Sequence, residues 1–413
     1  MAPRAGVQLD PVHLALAAAA WLAGAALFGL TAYQSALFVY GRSVRRPPPE
    51  GPSGAPRVTA LVASLASTPA LDATLGALAG VTYPAFDVAV AVGPGAQDPR
   101  PAGAPFVVLR SPAGGKARAL NAAMGAVGSD YVLLLDEDSR VEPDCVDRLL
   151  PLADDPGVWA VVGVPYLADA GVRPGPLQRT LALEARAWAA TARAKDRLGL
   201  FIPAMGFFAL VRAGPGSGVA WDEGALAEDT DLSLRQLAKG LRVRLSDARV
   251  GIDAPETLGD LSWQRLRWYK GMLDALWRNR GALAKLRPAL AADVAFTLLA
   301  PMAPAGFLVL LALSPVWPSV LLPVLLAATL GYAGAAWLAA PGGGRGRAGA
   351  ALMAVPYALV QGGVALAALG AFVLHVPVRW RRTPKRGDSP RDRLIRGRPG
   401  EGEADFRGLR QRG

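Results

Sequence analysis

Long apolar stretches at both ends of the chain constrain its fold most, because such segments must be kept out of water. Residues 12–40 are long enough to cross a bilayer, and residues 289–376 contain further candidate spans. Hydrophobic residues make up 52% of the chain, and its mean hydropathy is positive, at +0.28. The sequence predicts an integral membrane protein, with a transmembrane anchor at residues 1–42 and a C-terminal transmembrane region at residues 289–376.

A secretory signal peptide is the alternative interpretation of the first apolar stretch. The stretch is too long for that role, has no basic region beyond Arg4 and offers no clear cleavage site before Arg42. Arg42, Arg45 and Arg46 follow it directly, and basic residues mark the cytoplasmic ends of membrane spans. The region between the two apolar ends is therefore predicted to lie in the cytoplasm, at the inner membrane.

The basic tail at residues 377–413 is polar and rich in Arg and Gly, so it is predicted to be disordered and cytoplasmic. This location conflicts with the number of candidate spans, because three C-terminal crossings would leave the tail outside. Either one C-terminal block does not cross fully or the segmentation is different. Pro301 and Pro304, or Pro356 with residues 362–363, are the candidate breaks.

The formal charge of +11 and a pI near 10.2 could indicate nucleic-acid binding. Much of the positive excess lies in the tail and the membrane flanks, where anionic lipid headgroups are the simpler partner. The sequence has no recognisable nucleic-acid motif, so no nucleic-acid partner is expected. A single cysteine, Cys145, rules out a disulfide within one chain, and we expect its role to be packing.

After a linker rich in Pro and Gly at residues 43–56, strand-like and helical segments alternate over residues 57–268, which predicts an α/β domain with a mostly parallel sheet. Asp136, Glu137 and Asp138 follow the apolar run 131–135, which has the composition of a buried strand. Ligands bind at the carboxyl ends of such strands. Two carboxylates separated by one residue, as Asp136 and Asp138 are, suit Mg²⁺ or Mn²⁺ that carries substrate phosphates. The alternative interpretation is a solvated turn, which would have the same composition.

Two helical motifs follow. Glu228 and Asp229 open a predicted helix, where acids commonly complement the helix dipole but could also supply a general base. Gln264, Arg267 and Trp268 lie at i, i+3 and i+4, so they share one helical face that could hold a diphosphate and a sugar ring. Residues 269–288 mix Leu, Trp and Arg, which is typical of a helix lying in the membrane interface.

These motifs occur in the order found in a known family, and residues 58–268 resemble the membrane-embedded, inverting family 2 glycosyltransferases, which include cellulose, hyaluronan and poly-N-acetylglucosamine synthases. The resemblance implies a GT-A-type nucleotide-diphospho-sugar transferase domain, flanked by transmembrane and interfacial helices. It implies a UDP-sugar donor, a Mg²⁺ or Mn²⁺ cofactor and a glycan or lipid acceptor. Besides the motifs above, the segment 115–121, the segment 206–212 and the segment 254–257 match the family pattern.

The resemblance also implies roles for individual residues. The metal would lie on Asp136 and Asp138, and Asp229 would be the catalytic base. The resemblance also assigns residues to the binding of the donor diphosphate and of the acceptor. Lys116, Asp136, Gln264 and Arg267 would bind the donor, whereas Gly206, Glu228 and Trp268 would contact the acceptor.

The sequence departs from the family at the first two predicted strands, which usually end in acidic residues that contact the nucleoside. The first strand here runs into Ala66 and Ser67, and the second ends in Gly93-Pro94-Gly95-Ala96. Base recognition could therefore rest on backbone groups, or the donor could differ from the usual uridine nucleotide. The resemblance favours a synthase of a β-linked polysaccharide, with accessory subunits as possible partners. Single-sugar transfer to a lipid and a non-catalytic scaffold or pseudoenzyme are the alternatives.

Overall fold

The structure is a computed structural model that describes most of the predicted α/β domain and of the apolar ends of the chain. The predicted linker falls largely outside the described residues, as do the end of the first strand at Ala66 and Ser67, the residues Gly95 and Ala96, and nearly all of the basic tail. The described residues are 11–44, 54–64, 68–94, 106–112, 114–168, 175–213, 217–340, 343–378 and 382–384.

A central eight-stranded sheet organises the middle of the chain, in the order β3-β2-β1-β4-β7-β6-β8-β5. Among the described strands, the pairs β1·β2, β2·β3, β1·β4 and β6·β8 are parallel. The strand β7 runs antiparallel between β4 and β6, and β5 is antiparallel to β8, so the sheet is mixed. The strands are β1 Val58–Ser64, β2 Phe86–Val92, β3 Val107–Arg110, β4 Tyr131–Asp136, β5 Arg140–Val141, β6 Val158–Leu167, β7 Phe208–Arg212 and β8 Arg242–Ile252.

Helices cover both faces of this sheet and form the membrane region beside it. A one-turn 3-10 helix, Ala300–Met302, separates α8 from α9. The helices are α1 Pro11–Ser43, α2 Pro69–Ala79, α3 Lys116–Ala126, α4 Cys145–Ala153, α5 Pro176–Leu198, α6 Glu228–Ala238, α7 Leu258–Leu283, α8 Pro288–Leu299, α9 Pro304–Leu313, α10 Pro318–Ala339 and α11 Gly344–Val373.

Apolar side chains from the strands alternate between two cores, as the period of a β-strand requires. On one face, Leu133 and Leu135 of β4 pack with α2 and α4, and on the other, Val132 and Leu134 pack with α3 and α5. Cys145 is fully buried in the first core, and burial raises the pKa of its thiol to about 12. This environment agrees with the predicted packing role.

Three described helices are long and apolar enough to cross a membrane, namely α1, α10 and α11. The helix α8, extended by the 3-10 turn, and α9 pass the same test only as a pair, and they are bent by 59° where they meet. The bend lies at Pro301 and Pro304, one of the two breaks that the sequence suggested. A proline nitrogen has no hydrogen to donate to the helix ladder, which accounts for the interruption.

The predicted interfacial segment 269–288 is not a separate helix. Residues 269–283 continue α7, which already begins at Leu258, and the rest of the segment leads to the start of α8 at Pro288. The predicted domain boundary at residue 268 therefore falls inside one helix. The Thr257 side chain accepts the Asp260 backbone N–H at 3.1 Å and caps the start of α7. Residues 264–268 therefore lie within a continuous helix that leads from the sheet domain toward the apolar C-terminal helices.

The anchor helix α1 packs directly against α5 of the sheet domain. A Cβ atom at Gly41 would lie 1.8 Å from the Ala190 carbonyl oxygen, so only glycine permits this approach of the two helices. Nearby, the buried Lys195 of α5 and Asp293 of α8 form an ion pair. Asp293 also accepts the Tyr33 hydroxyl and, at 2.6 Å, the Phe201 backbone N–H. One carboxylate thus joins α1, α5 and α8.

Candidate active site

The carboxyl ends of the parallel strands β1, β2 and β4 meet at one edge of the sheet and form the base of the site. Asp136 is the last residue of β4, and Asp138 follows in the turn. The Asp138 carboxylate is 5% exposed and accepts the Asp253 backbone N–H at 3.2 Å. The strand end thus presents two carboxylates to one side of the sheet, as the sequence predicted.

Lys116, the first residue of α3, lies between the acidic motifs. Its ammonium group donates to Asp136 Oδ1 at 2.6 Å and lies 3.5 Å from Glu228 Oε1. Burial opposes the charge on this ammonium, but the Asp136 and Glu228 carboxylates raise its pKa above the ordinary value. Lys116 is therefore a fixed positive charge beside the two acidic motifs.

Asp229 lies in the first turn of α6, next to Lys116. Its carboxylate accepts the backbone N–H of Thr230 at 2.7 Å and that of Gly206 at 3.3 Å. Burial and the neighbouring Glu228 charge raise the pKa of Asp229 to about 6, although Lys116 and the two N–H groups act in the opposite direction. A carboxylate with a pKa near neutrality is suited to accept a proton.

Gly206 allows the close approach of its segment to these charged groups. A Cβ atom at this position would lie 3.1 Å from Lys116 Nζ and 3.9 Å from Asp229 Oδ2. Its segment is held nearby by the Ala204 N–H, which donates to Ser233 Oγ at 2.9 Å. A larger residue at 206 would narrow the space between the lysine and the aspartate.

The helix α7 contributes the opposite wall. Gln264, Arg267 and Trp268 all face the same cavity, in agreement with the face predicted from their spacing. Arg265 also lies there, with its guanidinium 4.4 Å from the centroid of the Trp268 ring and 2.7 Å from Glu184 Oε2. The stacked guanidinium restrains the orientation of the indole.

The structure brings all of the predicted site residues to one cavity of about 860 Å³, between the sheet edge and the membrane helices. The predicted residues that line this cavity are Lys116, Asp136, Asp138, Gly206, Glu228, Asp229, Gln264, Arg267 and Trp268.

The donor set at this end of the cavity fits a hard divalent cation. Among the described residues, six carboxylates line this end, against the four cations Lys116, Arg118, Arg267 and Arg382. No group of three or more acidic, His or Cys side chains within the described residues is arranged as a complete metal site. Carboxylates with ligand phosphates supplying the remaining oxygens are a usual arrangement for Mg²⁺. The six carboxylates are Asp136, Glu137, Asp138, Glu223, Glu228 and Asp229.

Arg382 is a site residue that the sequence analysis assigned only to the basic tail. It is 5% exposed, and its Nε donates to Glu137 Oε1 at 2.5 Å, while Ser64 donates to Glu137 Oε2 at 2.8 Å. Burial raises the pKa of Glu137, and the Arg382 charge opposes that shift. Arg382, which follows the last apolar helix α11, thus lines the cavity. No motif in the basic tail predicted this contact.

Comparisons with known proteins agree with this geometry. The family model described as "Glycosyl transferase family group 2" matches residues 131–340, about half of the chain. A poly-beta-1,6-N-acetyl-D-glucosamine synthase of Staphylococcus aureus (strain COL) is 30% identical over 168 residues, which are 40% of either chain. The similarity therefore spans well under two thirds of that synthase. An N-acetylglucosaminyltransferase of Rhizobium meliloti (strain 1021) is 27% identical over 296 residues, 64% of this chain and 68% of that protein.

A solved structure has the same fold. The mannosyltransferase PcManGT from Pyrobaculum calidifontis, in complex with GDP-Man and Mn²⁺, superposes with a TM-score of 0.57. It shares 18% sequence identity, and the alignment covers 88% of this chain and 100% of that one. The middle of the present chain is therefore a GT-A-type domain, flanked by helices long and apolar enough to cross a membrane.

Proposed function

Because this chain belongs to the glycosyl transferase family group 2, we propose that it is a membrane-bound, inverting glycosyltransferase that moves a sugar from a nucleotide-diphosphate donor to a hydroxyl acceptor. The observation that carries this proposal is the convergence of Asp136, Asp138, Asp229 and Arg267 in one cavity. These groups supply the charges that transfer from a diphosphate requires, at the edge of the sheet where such folds bind ligands.

In the proposed mechanism, Asp229 removes the proton from the acceptor hydroxyl as that oxygen attacks the anomeric carbon. Its raised pKa, about 6, leaves it mostly ionised at neutral pH yet basic enough to accept the proton. The bond to the diphosphate breaks on the opposite side of the sugar, so the configuration inverts. The Gly206 and Thr230 N–H groups hold the Asp229 carboxylate in place during this step.

The diphosphate is held by Lys116, Gln264 and Arg267 in this proposal. Lys116 and Arg267 provide positive charge where negative charge builds on the departing diphosphate. Asp136 and Asp138 would hold a divalent cation, which would supply the positive charge that neutralises the donor phosphates. The carboxylate excess in the cavity explains why a cation is needed, because a diphosphate would otherwise enter a site that is already negative.

We propose that the product is a β-linked polysaccharide and that the donor is UDP-N-acetylglucosamine. The two relatives, a poly-beta-1,6-N-acetyl-D-glucosamine synthase and an N-acetylglucosaminyltransferase, support this choice of sugar. A lipid acceptor is the second candidate, since the cavity continues between α10 and α11, where the alanines at 335, 336, 350 and 354 line it. Such small side chains could also accommodate a lipid chain.

The catalytic domain is proposed to face the cytoplasm. Arg382 pairs with Glu137, so the chain after α11 returns to the side of the membrane that holds the catalytic domain. An even number of crossings must therefore separate the two, and α10 and α11 supply two. The bent pair α8 and α9 is then re-entrant and does not cross. Arg42 at the end of α1 supports the cytoplasmic side.

Purified full-length protein tests the chemistry, if it is incubated with a panel of UDP-sugars and GDP-sugars in Mg²⁺ or Mn²⁺. We expect nucleotide release with UDP-N-acetylglucosamine and a product that grows to a polymer. A product with one sugar on a lipid would support the second candidate. No nucleotide release with any donor in the panel would contradict a transferase and leave the scaffold alternative.

Cysteine labelling in intact cells tests the topology. The native Cys145 is buried, so Gly343→Cys and Ser389→Cys can be labelled in a Cys145→Ser background. A membrane-impermeant maleimide is expected to react with Gly343→Cys, between α10 and α11, only from outside. It should react with Ser389→Cys, in the basic tail, only after the cells are opened. Labelling of both from outside would contradict the re-entrant pair.

A further inference from the structure

Segment 201–206 lies between α5 and β7 and forms neither a helix nor a strand. Its position therefore depends on hydrogen bonds from its backbone to neighbouring elements. At its start, the Phe201 N–H donates to Asp293 of α8 at 2.6 Å. The conformation of the segment shapes one wall of the cavity, because four of its residues line that wall, namely Ile202, Pro203, Met205 and Gly206.

The helix α6 holds the other end of segment 201–206 at two positions. Ser233 Oγ accepts the Ala204 N–H at 2.9 Å. Asp229 Oδ2 accepts the Gly206 N–H at 3.3 Å. The proposed base is thus one of the two acceptors, and Ser233 is the other. The hydrogen bond to the base is the longer of the two, so it is the one that a small movement of the segment would break.

The two hydrogen bonds match in spacing. Asp229 and Ser233 are four residues apart in α6, so they share one face of the helix and lie roughly 6 Å apart along its axis. Ala204 and Gly206 are two residues apart, and residues two apart in an extended chain point to the same side, at a separation of roughly 6.6 Å. The bond at Ser233 therefore sets which N–H group of the segment reaches the base.

The Ser233 hydroxyl is fixed in its orientation. It is 1% exposed, and its proton is donated to the Asp229 carbonyl oxygen at 2.7 Å. With the proton committed there, the oxygen presents a lone pair to the Ala204 N–H. Without this hydroxyl, the buried N–H would lose its acceptor, which is costly enough for the segment to move.

We propose that Ser233 is a positioning residue for the proposed base. It holds segment 201–206 in register with α6, so that the Gly206 N–H stays on the Asp229 carboxylate. With Oδ2 held by this N–H and Oδ1 by the Thr230 N–H, the carboxylate is restrained at both oxygens. The inference rests on the proposed transferase function and adds the residue that keeps its base in place.

The basicity of Asp229 offers a readout of this role. The Gly206 N–H is one of the groups that lower its pKa, because a hydrogen bond to a carboxylate favours the charged form. Ser233→Ala leaves every nearby charge in place, so a change in the pKa of Asp229 would come through this N–H. The charged groups that face the same cavity from α6, α3, β4 with its following turn, and α7 are Glu228, Lys116, Asp136, Asp138 and Arg267.

Nucleotide release from UDP-N-acetylglucosamine by the purified full-length Ser233→Ala protein tests this role, if it is measured across pH with Mg²⁺ or Mn²⁺ present. The kcat at the pH optimum should fall roughly five-fold, the effect of losing about one hydrogen bond. The pH at which kcat/KM falls on the acid side should move above about 6, because loss of the Gly206 N–H raises the pKa of Asp229. KM for the donor should be unchanged.

Ser246 of β8 offers a matched control, because its hydroxyl forms the same kind of bridge. It is 2% exposed, donates to the Arg148 carbonyl oxygen at 2.7 Å and accepts the Ala248 N–H at 3.1 Å. It is not among the described residues that line the cavity. Ser246→Ala should therefore lower the thermal unfolding temperature about as much as Ser233→Ala does, and should keep the kcat and the pH dependence of the wild type.

Two further variants separate the hydroxyl of Ser233 from the space that it fills. Ser233→Thr keeps a hydroxyl that can bond the carbonyl four residues earlier, so it should restore kcat and the acid-side pH. Ser233→Cys fills the space with a weak acceptor. It should show the same losses as Ser233→Ala and replaces that variant if the alanine protein does not fold.

The outcomes separate this role from the general function. If Ser233→Ala and Ser233→Cys only lower the unfolding temperature, as Ser246→Ala does, then Ser233 is structural and the proposal is wrong although transfer still occurs. A threonine variant as impaired as the alanine variant would also overturn it, since the hydroxyl would then not be the responsible group. If the wild type releases no nucleotide from any donor, the proposed function itself fails, and the role of Ser233 fails with it.

Discussion

The two ends of the cavity hold ionisable groups in opposite ways. At the sheet edge, six carboxylates face four cations among the residues that the structure describes, so negative charge is in excess there. At the membrane end, Glu184 pairs with Arg265 and Asp293 pairs with Lys195, so charge is balanced within the protein. Uncompensated charge is retained where a ligand supplies the counter-charge, whereas compensated charge holds elements together. Removing a charge at the sheet edge should therefore lower the rate of transfer. Removing a charge at the membrane end should lower the stability of the fold.

Asp229→Asn is the largest expected effect at the sheet edge. The amide cannot accept the hydroxyl proton, so kcat should fall by roughly a thousand-fold, while donor affinity remains near wild type. The thermal unfolding temperature should not fall, because the substitution removes a buried charge whose pKa is raised by burial and by Glu228. Turnover assays, donor titration and thermal unfolding measure these three quantities.

The exposed residue Asp222, which pairs with Arg278, offers a matched control for that substitution. Asp222→Asn should retain wild-type turnover, since surface ion pairs contribute little. Turnover by Asp229→Asn within ten-fold of the wild type would remove Asp229 from the role of base. A loss of donor affinity equal to the loss of turnover would indicate instead that Asp229 serves binding.

Removal of the divalent cation is expected to have the next largest effect, a loss of activity of at least about a hundred-fold in chelator. Asp138→Asn should raise the Mg²⁺ or Mn²⁺ concentration required for half-maximal nucleotide release, because one carboxylate ligand is lost. The same cation titration with Asp222→Asn should match the wild type. Full activity in chelator would contradict a metal role for Asp136 and Asp138.

The membrane end should respond in the opposite way. Lys195→Met leaves the Asp293 carboxylate buried without its cation, which costs about 3–5 kcal/mol and should lower the thermal unfolding temperature. The double variant Lys195→Met, Asp293→Asn should recover much of this loss, because the amide oxygen can still accept the Phe201 N–H and no charge is left unpaired. Once folded, both variants should keep a near-normal kcat.

The exposed ion pair of Arg57 and Asp87 is the control for this comparison. Arg57→Met should change the unfolding temperature little, since both side chains are largely solvated. If Lys195→Met is as stable as the wild type, or if it lowers kcat without affecting stability, the contrast between the two ends of the cavity does not hold.

The sequence analysis found the residues whose position follows from local structure. Asp136 ends a buried strand and Asp229 begins a helix, so both places could be recognised from short patterns. The capping pair Thr257 and Asp260 could also have shown that α7 begins before residue 264. By contrast, the antiparallel direction of β7 depends on pairing with β4 and β6, which no local pattern specifies.

Long-range contacts explain the residues that the sequence analysis missed. Arg382 and Glu137 are 245 positions apart, and the composition of the tail suggested only contact with lipid headgroups. Glu184 and Tyr357 are 173 positions apart, and each looks like an ordinary polar residue of an amphipathic or apolar helix. Their roles depend on how α5, α7 and α11 pack together, which the motifs do not encode.

The smallest predicted effect concerns pH and tests the electrostatics within the sheet edge. Asp229 must be ionised to act as base, so kcat/KM should fall as the pH drops through about 6. Burial is the larger cause of its raised pKa and Glu228 the next, while Lys116 and the Gly206 and Thr230 N–H groups lower it. Glu228→Gln removes a like charge, so the acid limb should move to lower pH by about one unit or less.

Glu228→Gln could also lower the maximal kcat/KM by disturbing acceptor binding. The pH at which kcat/KM falls on the acid side does not depend on that maximal value. Asp222→Asn again serves as the control and should leave the limb near pH 6, because its carboxylate lies at an exposed ion pair. A limb that stays in place or moves to higher pH in Glu228→Gln would show that another group titrates. The excess of carboxylates at the sheet edge would then not be what sets the basicity of Asp229.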